Sequence, residues 1–308
     1  MSALNSSSAN YIGRFAPSPT GPLHFGSLVA ALASYLDAKA HGGHWHVRIE
    51  DVDETRCQPQ FTDDILRTLT AFGLHWDGEV IFQSRRKARY EEVLKQLTAQ
   101  GMTYACICSR REIADSAMFG IEGPVYPGTC RAANHPRSGQ AIRIITTDEP
   151  LRLSDRVQGM VEQTLQSQFG DFVIKRRDGL FAYQLAVVVD DADQQISHVV
   201  RGADLVDSTT RQIHLQRLLG LQTPQYLHIP VASNETGQKL SKQTLAPGIA
   251  DGDVMIMLQR ALRFLGQPIS TDATNSATRP SPTVLLAAAT QAWTVSAIPA
   301  VRYLPIPA

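Results

Sequence analysis

Charge of one sign is what the sequence most clearly lacks. Lys and Arg total 29, Asp and Glu total 29, and the formal net charge is zero. The bulk field therefore does not mark a nucleic-acid binder. A polyanion site would have to come from local groups such as Arg85-Arg86-Lys87 or Lys175-Arg176-Arg177. Cysteine is scarce as well, four residues in 308, too few for a disulfide scaffold. Met1 to Asn10 has neither a basic start nor an apolar stretch, so no secretory signal is expected. The uncharged run from Pro280 to Val301 is long enough for a bilayer. Its three prolines and its Thr, Ser and Gln residues argue against a membrane helix. No internal repeat is present. A hydrophobic content of 43% with 19% charged residues fits a soluble globular chain with an ample core, expected in the cytoplasm.

The chain begins as a βαβ unit. Residues 11–15 read as a strand, Ala16 to Pro22 as a Pro/Gly-rich turn, and Ser27 to Ala40 as a helix with Leu28, Leu32, Tyr35 and Leu36 on one stripe. Gly42-Gly43 closes it and residues 45–49 form a second strand ending at Glu50. Such units build parallel sheets that bind ligands at the carboxyl ends of their strands. Further helices are expected at Asp63–Phe72, Arg86–Gln100, Ser208–Leu219 and Asp253–Leu265. Strand character is expected at Ala141–Thr147, Gln168–Lys175, Leu180–Val189 and Ile229–Ala232. Residues 104–137 read as a small irregular module. After Gly266 the Pro, Ser, Thr and Ala content predicts a poorly packed or draped tail.

Two segments carry phosphate chemistry. RFAPSPTGPLHFGS, Arg14 to Ser27, lies between strand and helix. There Gly26 admits a phosphate close to the backbone, the helix N-terminus offers free N–H groups, and His24 can donate to a phosphate oxygen. A plain β–α turn with a capping serine accounts for the same residues. Far downstream, Lys239-Leu240-Ser241-Lys242-Gln243 places two lysines on a Gly237-led loop, suited to clamping a triphosphate or, equally, to a solvated surface. Their combination is more specific than either alone. A third cluster, Cys106-x-Cys108…Cys130, points to a reduced compartment and a metal; three thiolates leave one ligand place open, for which His135 is the conventional donor. Cys57 lies apart and reads as a plain thiol.

With these residues in view the chain resembles the class I aminoacyl-tRNA synthetases of the glutamyl type. RFAPSPTGPLHFGSL resembles their HIGH region, with Ser27 where the last His stands, and KLSKQ resembles their KMSKS loop, with Gln243 where the last Ser stands. VRIEDVDETR, FGLHWDGEVIFQSRR, YQLAVVVDDADQQISHVVRGADLVDSTTRQIHLQRLLG and YLHIPV extend the likeness over residues 11–265. The early end after KLSKQ leaves no room for a large anticodon-binding domain. Together with the LHFGSL segment and the Cys module, it makes the chain similar to the glutamyl-queuosine tRNA(Asp) synthetase family. That family activates glutamate without tRNA and attaches it to the queuosine base of the anticodon.

The resemblance implies an α/β fold. A Rossmann-like catalytic domain (11–102 and 191–245) follows a flexible 1–10 segment, is interrupted by a metal-bearing insertion at 103–190, and precedes a short helical remnant and tail at 246–308. It implies glutamate contacts at Arg14, Phe15, Ala16, Pro17, Ser18, Glu50, Tyr183 and Arg201, with Glu50 receiving the ammonium and Arg201 the second carboxylate. It implies ATP contacts at His24, Gly26, Lys239 and Lys242, with His24 and Lys242 catalytic, and Mg²⁺ accompanying the ATP. One structural zinc on Cys106, Cys108, Tyr126 and Cys130 is also implied, although a phenol must lose a proton of pKa near ~10 to serve. The expected partner is the anticodon stem-loop of queuosine-containing tRNA(Asp), and the expected state is a monomer. Two other readings use the same residues: an ordinary glutamyl or glutaminyl synthetase charging the 3′ end, and a non-catalytic synthetase-like binding module.

Overall fold

The computed structural model describes residues 11–116, 118–234, 249, 253–268 and 281–306. The first half-unit runs β1 (Ile12–Phe15), α1 (Phe25–Ala40), β2 (His44–Ile49), α2 (Pro59–Ala71) and β3 (Ile81–Phe82). Its three strands are parallel, with Ile12 opposite His44 and Arg48 opposite Ile81. The tight return from α1 to β2 requires glycine. A side chain at Gly43 would place its Cβ 2.3 Å from the Tyr11 carbonyl oxygen.

The central part continues with α3 (Lys87–Ala99), β4 (Thr103–Cys106), α4 (Arg110–Ser116), and the short hairpin β5 (Phe119–Gly120) and β6 (Gly123–Pro124). Then come β7 (Ala141–Ile144), β8 (Leu151–Asp155), β9 (Gly159–Gln163), α5 (Leu165–Gln168) and β10 (Val173–Lys175). β4, β7 and β10 make a small antiparallel sheet ordered β10-β7-β4.

The second half-unit is α6 (Tyr183–Asp193), β11 (His198–Gly202), α7 (Val206–Leu219), β12 (Gln225–Ile229) and β13 (Val231–Ser233). β11 and β12 are parallel and extend through β8 to β9. β11 also lies beside β1. The Ser197 N–H donates to the Ile12 carbonyl at 2.9 Å, and the Ile12 N–H donates to Ser197 Oγ at 2.9 Å. The strand sequence β3-β2-β1-β11-β12 is that of a doubly wound sheet, whose order reverses between β1 and β11. Ligands bind outside the carboxyl ends of the strands at such a reversal.

Two expectations are corrected. Leu180–Val189 is mainly helix, because α6 starts at Tyr183. Its run of Leu, Ala and Val is buried on every side, from Gln184 to Asp191, so no polar face marks a helical period. The tail is packed. After α8 (Val254–Phe264), α9 (Pro282–Gln291) buries Leu285, Leu286 and Ala289 in the same core as α1 and β2. Beyond it, β14 (Tyr303–Pro305) pairs in parallel with β13. Trp293 Nε1 donates to the buried Asp37 carboxylate at 2.9 Å, which Arg156 also holds through Nη2 at 2.9 Å. Fully buried side chains of Leu size contribute about 1.5–3 kcal/mol each, enough for the buried face of α9 to hold a short helix in place. No described helix is long and apolar enough to cross a membrane.

Candidate active site and candidate metal centre

A cleft of about 670 Å³ opens at the strand-order reversal. Residues 14–18 leave the end of β1 along one wall, with His24 and Gly26 at the start of α1. Glu50 closes the floor at the end of β2, Tyr183 enters from the start of α6, and Arg201 from the end of β11. The fold thus brings together every sequence-expected glutamate and ATP residue that lies among the described ones. Lys239 and Lys242 lie outside the described residues.

The two arginines of the cleft differ in how they are held. Arg14 is buried and paired with Asp191 of α6, Nε to Oδ1 at 3.1 Å and Nη2 to Oδ2 at 3.3 Å. Arg48, fully buried on β2, reaches the same Asp191 with Nη1 at 2.7 Å and Glu50 with Nη2 at 3.2 Å. Burial opposes ionisation of Asp191, but Arg14 and Arg48 outweigh it and hold the carboxyl below its usual range. At Glu50 burial prevails over the same two cations and the carboxyl stands above its usual range.

Among the described residues, Arg201 donates to neutral groups. Its Nη2 donates to Thr209 Oγ1 and Gln212 Oε1, each at 2.8 Å, its Nη1 to the Tyr183 hydroxyl at 3.3 Å, and its Nε to His228 Nε2 at 3.1 Å. Among the described residues no carboxylate comes within 4.0 Å of it. His228 is oriented in turn by Asp155, whose Oδ2 lies 2.6 Å from Nδ1. Acceptance from Arg201 at Nε2 assigns the proton to Nδ1. Burial, with Arg201 close by, pushes the His228 pKa down to about 4 despite Asp155. A guanidinium lining the cleft with no carboxylate within salt-bridge distance among the described residues is suited to receive a carboxylate from outside.

His24 is the N-cap of α1. Its Nδ1 accepts the Ser27 N–H at 3.2 Å, and Ser27 Oγ stands 3.3 Å from Nε2. The serine at the fourth position of HFGS thus pairs with the histidine at the first. A Cβ added at Gly26 would come within 3.3 Å of the His24 ring, so glycine leaves that ring its room at the helix start.

Several residues of this site are absent from the sequence reading: Arg48, Asp155, Asp191, Thr209, Gln212 and His228. Only Asp190-Asp191 left a sequence signal, two carboxylates inside the apolar run AVVVDDA, where an unpaired charge would be costly.

The cysteine module is built by β4, the loop after it, and residues 126–130. The Sγ atoms of Cys106, Cys108 and Cys130 all lie within 4.8 Å of one another, and Cys108 and Cys130 are 3.5 Å apart. The Tyr126 hydroxyl stands among them, 3.4 Å from Cys106 Sγ and 3.7 Å from Cys108 Sγ, and accepts the Cys130 N–H at 2.9 Å. Burial opposes ionisation of Cys130, but hydrogen bonds from Tyr126 and the Ile107 backbone hold its thiol below the usual range. Among the described residues His135 does not join the converging donors. Three thiols around one point form a cluster that could bind a metal ion. The Arg143 guanidinium lies over the Tyr126 ring, 3.8 Å from its centroid, and the module approaches Gly170 so closely that a Cβ there would meet the Tyr126 backbone at 2.6 Å.

Residues 12–267 match the model of the catalytic domain of class I tRNA synthetases (E and Q). A protein of Dechloromonas aromatica (strain RCB) named glutamyl-Q tRNA(Asp) synthetase is 52% identical over 301 residues, 97% of this chain and 99% of its own. One of the same name from Cupriavidus metallidurans is 55% identical over 265 residues, 84% of this chain and 86% of its own. Among solved structures, a glutamate-tRNA synthetase from Elizabethkingia anophelis matches with a TM-score of 0.78 at 22% identity, over 97% of this chain and 68% of that one. That likeness establishes the fold, a class I catalytic α/β core. On the catalytic-domain match and the near-full-length identity to its relatives, the chain belongs to the glutamyl-Q tRNA(Asp) synthetase family of class I tRNA synthetases.

Proposed function

We propose that this chain activates L-glutamate with ATP in the absence of RNA and transfers it to the queuosine base at the wobble position of tRNA(Asp). The observation that carries this reading is the cleft of a family member that Glu50, held on one side by Arg48, and Arg201, with no carboxylate partner among the described residues, both line. Glu50 stands above its usual carboxyl range because burial outweighs its two arginine neighbours, and Arg201 has only neutral contacts among the described residues. A substrate with one ammonium and two carboxylates complements that arrangement, with Arg14, Tyr183 and residues 15–18 completing the amino-acid contacts.

In the first step a glutamate α-carboxylate oxygen attacks the α-phosphorus of ATP. The bond to the bridging oxygen breaks and pyrophosphate leaves; Mg²⁺, bound with the ATP, would supply charge neutralisation on the phosphates. His24 and Gly26 at the α1 N-terminus, and Lys239 and Lys242 on the downstream loop, would stabilise the charge on the phosphates. In the second step a hydroxyl of the queuosine cyclopentene ring attacks the activated carbonyl. An ester forms, AMP leaves, and the hydroxyl proton passes to solvent. No side chain is needed as nucleophile, so the protein acts by positioning and charge stabilisation.

The same reading gives the Cys module one structural zinc, bound by Cys106, Cys108, Cys130 and Tyr126. It places the insertion at 103–190, and it makes the protein a cytoplasmic monomer.

The test is glutamate-dependent pyrophosphate exchange without RNA, followed by transfer of labelled glutamate. Exchange should proceed with glutamate alone, and label should appear on queuosine-containing tRNA(Asp), mapped by nuclease to the anticodon loop. Label on the 3′-terminal adenosine, or equal transfer to queuosine-free tRNA, would convert the reading to an ordinary charging enzyme.

A further inference from the structure

A second groove, about 700 Å³, lies outside the cleft between α3, the loop before β7, and the turn after β10. Five of its lining residues are Lys or Arg and two are carboxylates, in a chain whose net charge is zero. Two of the cations are already neutralised. Lys175 pairs with Glu91 at 2.7 Å, and Arg176 pairs with Asp178 at 2.6 Å and Asp53 at 3.1 Å. The other three, Lys95, Arg137 and Arg177, are exposed, and no carboxylate among the described residues lies within salt-bridge distance of them.

Two of these three are nonetheless fixed in place. Arg137 donates to the Thr103 carbonyl at 2.6 Å and to Thr103 Oγ1 at 3.0 Å. Arg177 donates to the carbonyl of Ile107 at 2.8 Å, the residue between Cys106 and Cys108. Arg177, anchored through one nitrogen to a neutral carbonyl, keeps its remaining donors for a ligand, while Arg137, held through both Nη atoms by neutral oxygens, keeps its charge uncompensated.

The groove and the cleft are linked by short stretches of chain. Gly179, in its wall, is four residues from Tyr183, a chain distance of at most about 14 Å. Arg176 is tied to Asp53, three residues beyond Glu50. Glycines 139 and 179, with nothing within 4 Å of a would-be Cβ, leave the groove's loops bare of side chains at two points. A strand of phosphates can therefore approach the backbone there.

We infer that Lys95, Arg137 and Arg177 form the docking surface for the phosphate backbone of an RNA stem whose loop base enters the neighbouring cleft. This rests on the proposed transfer to RNA and specifies where that RNA is held. Phosphates are its natural occupant because the cations are spread along an open groove. A single small anion would call for convergent donors in a closed pocket. Binding through such contacts is sequence-independent and falls with salt.

The test uses the full-length Lys95→Glu/Arg177→Glu variant and an anticodon stem-loop of tRNA(Asp) carrying queuosine. Glutamate-dependent pyrophosphate exchange without RNA should stay within about twofold of the unaltered protein. Stem-loop affinity should fall by about tenfold or more. The slope of log affinity against log salt should become shallower by about 2, one for each phosphate no longer neutralised. Lys95→Gln/Arg177→Gln, which removes charge without reversing it, should show the same slope change should the first variant lose its fold. Unchanged stem-loop affinity and salt slope with exchange intact would overturn the docking surface while leaving the activation reading in place. Loss of binding to a polyglutamate peptide with RNA affinity unchanged would overturn it too, in favour of an acidic protein partner. Absence of exchange in the unaltered protein would instead sink the proposed function.

Discussion

The cleft and the cysteine module solve the problem of buried polar groups in opposite ways. In the cleft, charges are drawn from distant parts of the chain and most are paired within the protein: Arg14 meets Asp191 across 177 residues, and Arg48 bridges Asp191 and Glu50. In the module, donors of one kind converge within 25 residues, Cys106 to Cys130, and none of the described partners brings a positive charge into the thiol cluster itself. Among the described residues the first leaves Arg201 without a carboxylate partner; the second gathers donors that could hold a cation. The cleft should accordingly be rigid before substrate binds, and the module should depend on a metal for its local order.

The strongest test of the division is at the loop lysine. Lys242→Ala should lower pyrophosphate exchange by about 100-fold or more with folding unchanged if, as proposed, it stabilises charge that develops in the transition state. Exchange retained within about threefold would remove Lys242 from the chemistry.

Arg201→Ala should come next. It should raise the glutamate requirement by about 10- to 100-fold and erode the preference for glutamate over glutamine. Arg14→Ala should differ from it by also leaving Asp191 with a single cation, so a measurable loss of thermal stability is expected for Arg14→Ala and a smaller one for Arg201→Ala. Equal stability losses would break the distinction between a paired and a waiting arginine.

His228 sharpens the comparison on a finer scale. His228→Gln should raise KM for glutamate by a few-fold to about tenfold while kcat changes less, since its ring is hydrogen-bonded to Arg201 and Asp155. Its folded pKa of about 4 lies below the unfolded value of 6.5. The unfolded chain therefore binds more protons between those limits, and stability is lost as pH falls from 6.5 towards 4, by up to about 3 kcal/mol. Asp155, held below its usual carboxyl range by His228 against the cost of its burial, works in the same direction. Urea midpoints at pH 7 and pH 5 should differ less in His228→Gln than in the unaltered protein; an identical pH difference would argue that His228 is charged in the native state.

The smallest effect on activation is expected from the module. Cys108→Ser should lose about one zinc per chain by elemental analysis and destabilise the module locally. Exchange should stay near normal, and RNA transfer should fall, because Arg177 is anchored on Ile107 within the Cys-x-Cys segment. A large loss of exchange would show that the two regions are coupled. Tyr126→Phe and His135→Ala, compared for retained metal, identify the fourth ligand.

How much was legible in advance follows the range of the interactions. The β1–α1–β2 unit, the glycine return after α1 and the cysteine cluster are set by spacing within about 40 residues, and the structure reproduces them closely. The helix α6 was misread as a strand because burial on all sides hides its period. The tail was misread as draped because small and apolar residues in a Pro-rich stretch say nothing about which core will take them. His228 and Asp155 gave no signal at all; one histidine in YLHIPV and one aspartate in LRLSDR become a pair only when β8 and β12 lie side by side.

By itself the sequence determined the chemistry available: a glycine-bearing turn at a helix start, carboxylates and arginines at strand ends, three thiols in one short module, and the motifs that mark the family. Only the tertiary structure decided which charges are spent on one another and which remain for a substrate. That outcome depends on β1 lying next to β11 and on α6 bringing Asp191 to both Arg14 and Arg48. Electrostatic pairing acts over a few ångströms in space, and residues 177 positions apart reach that distance only through the order of strands in the sheet.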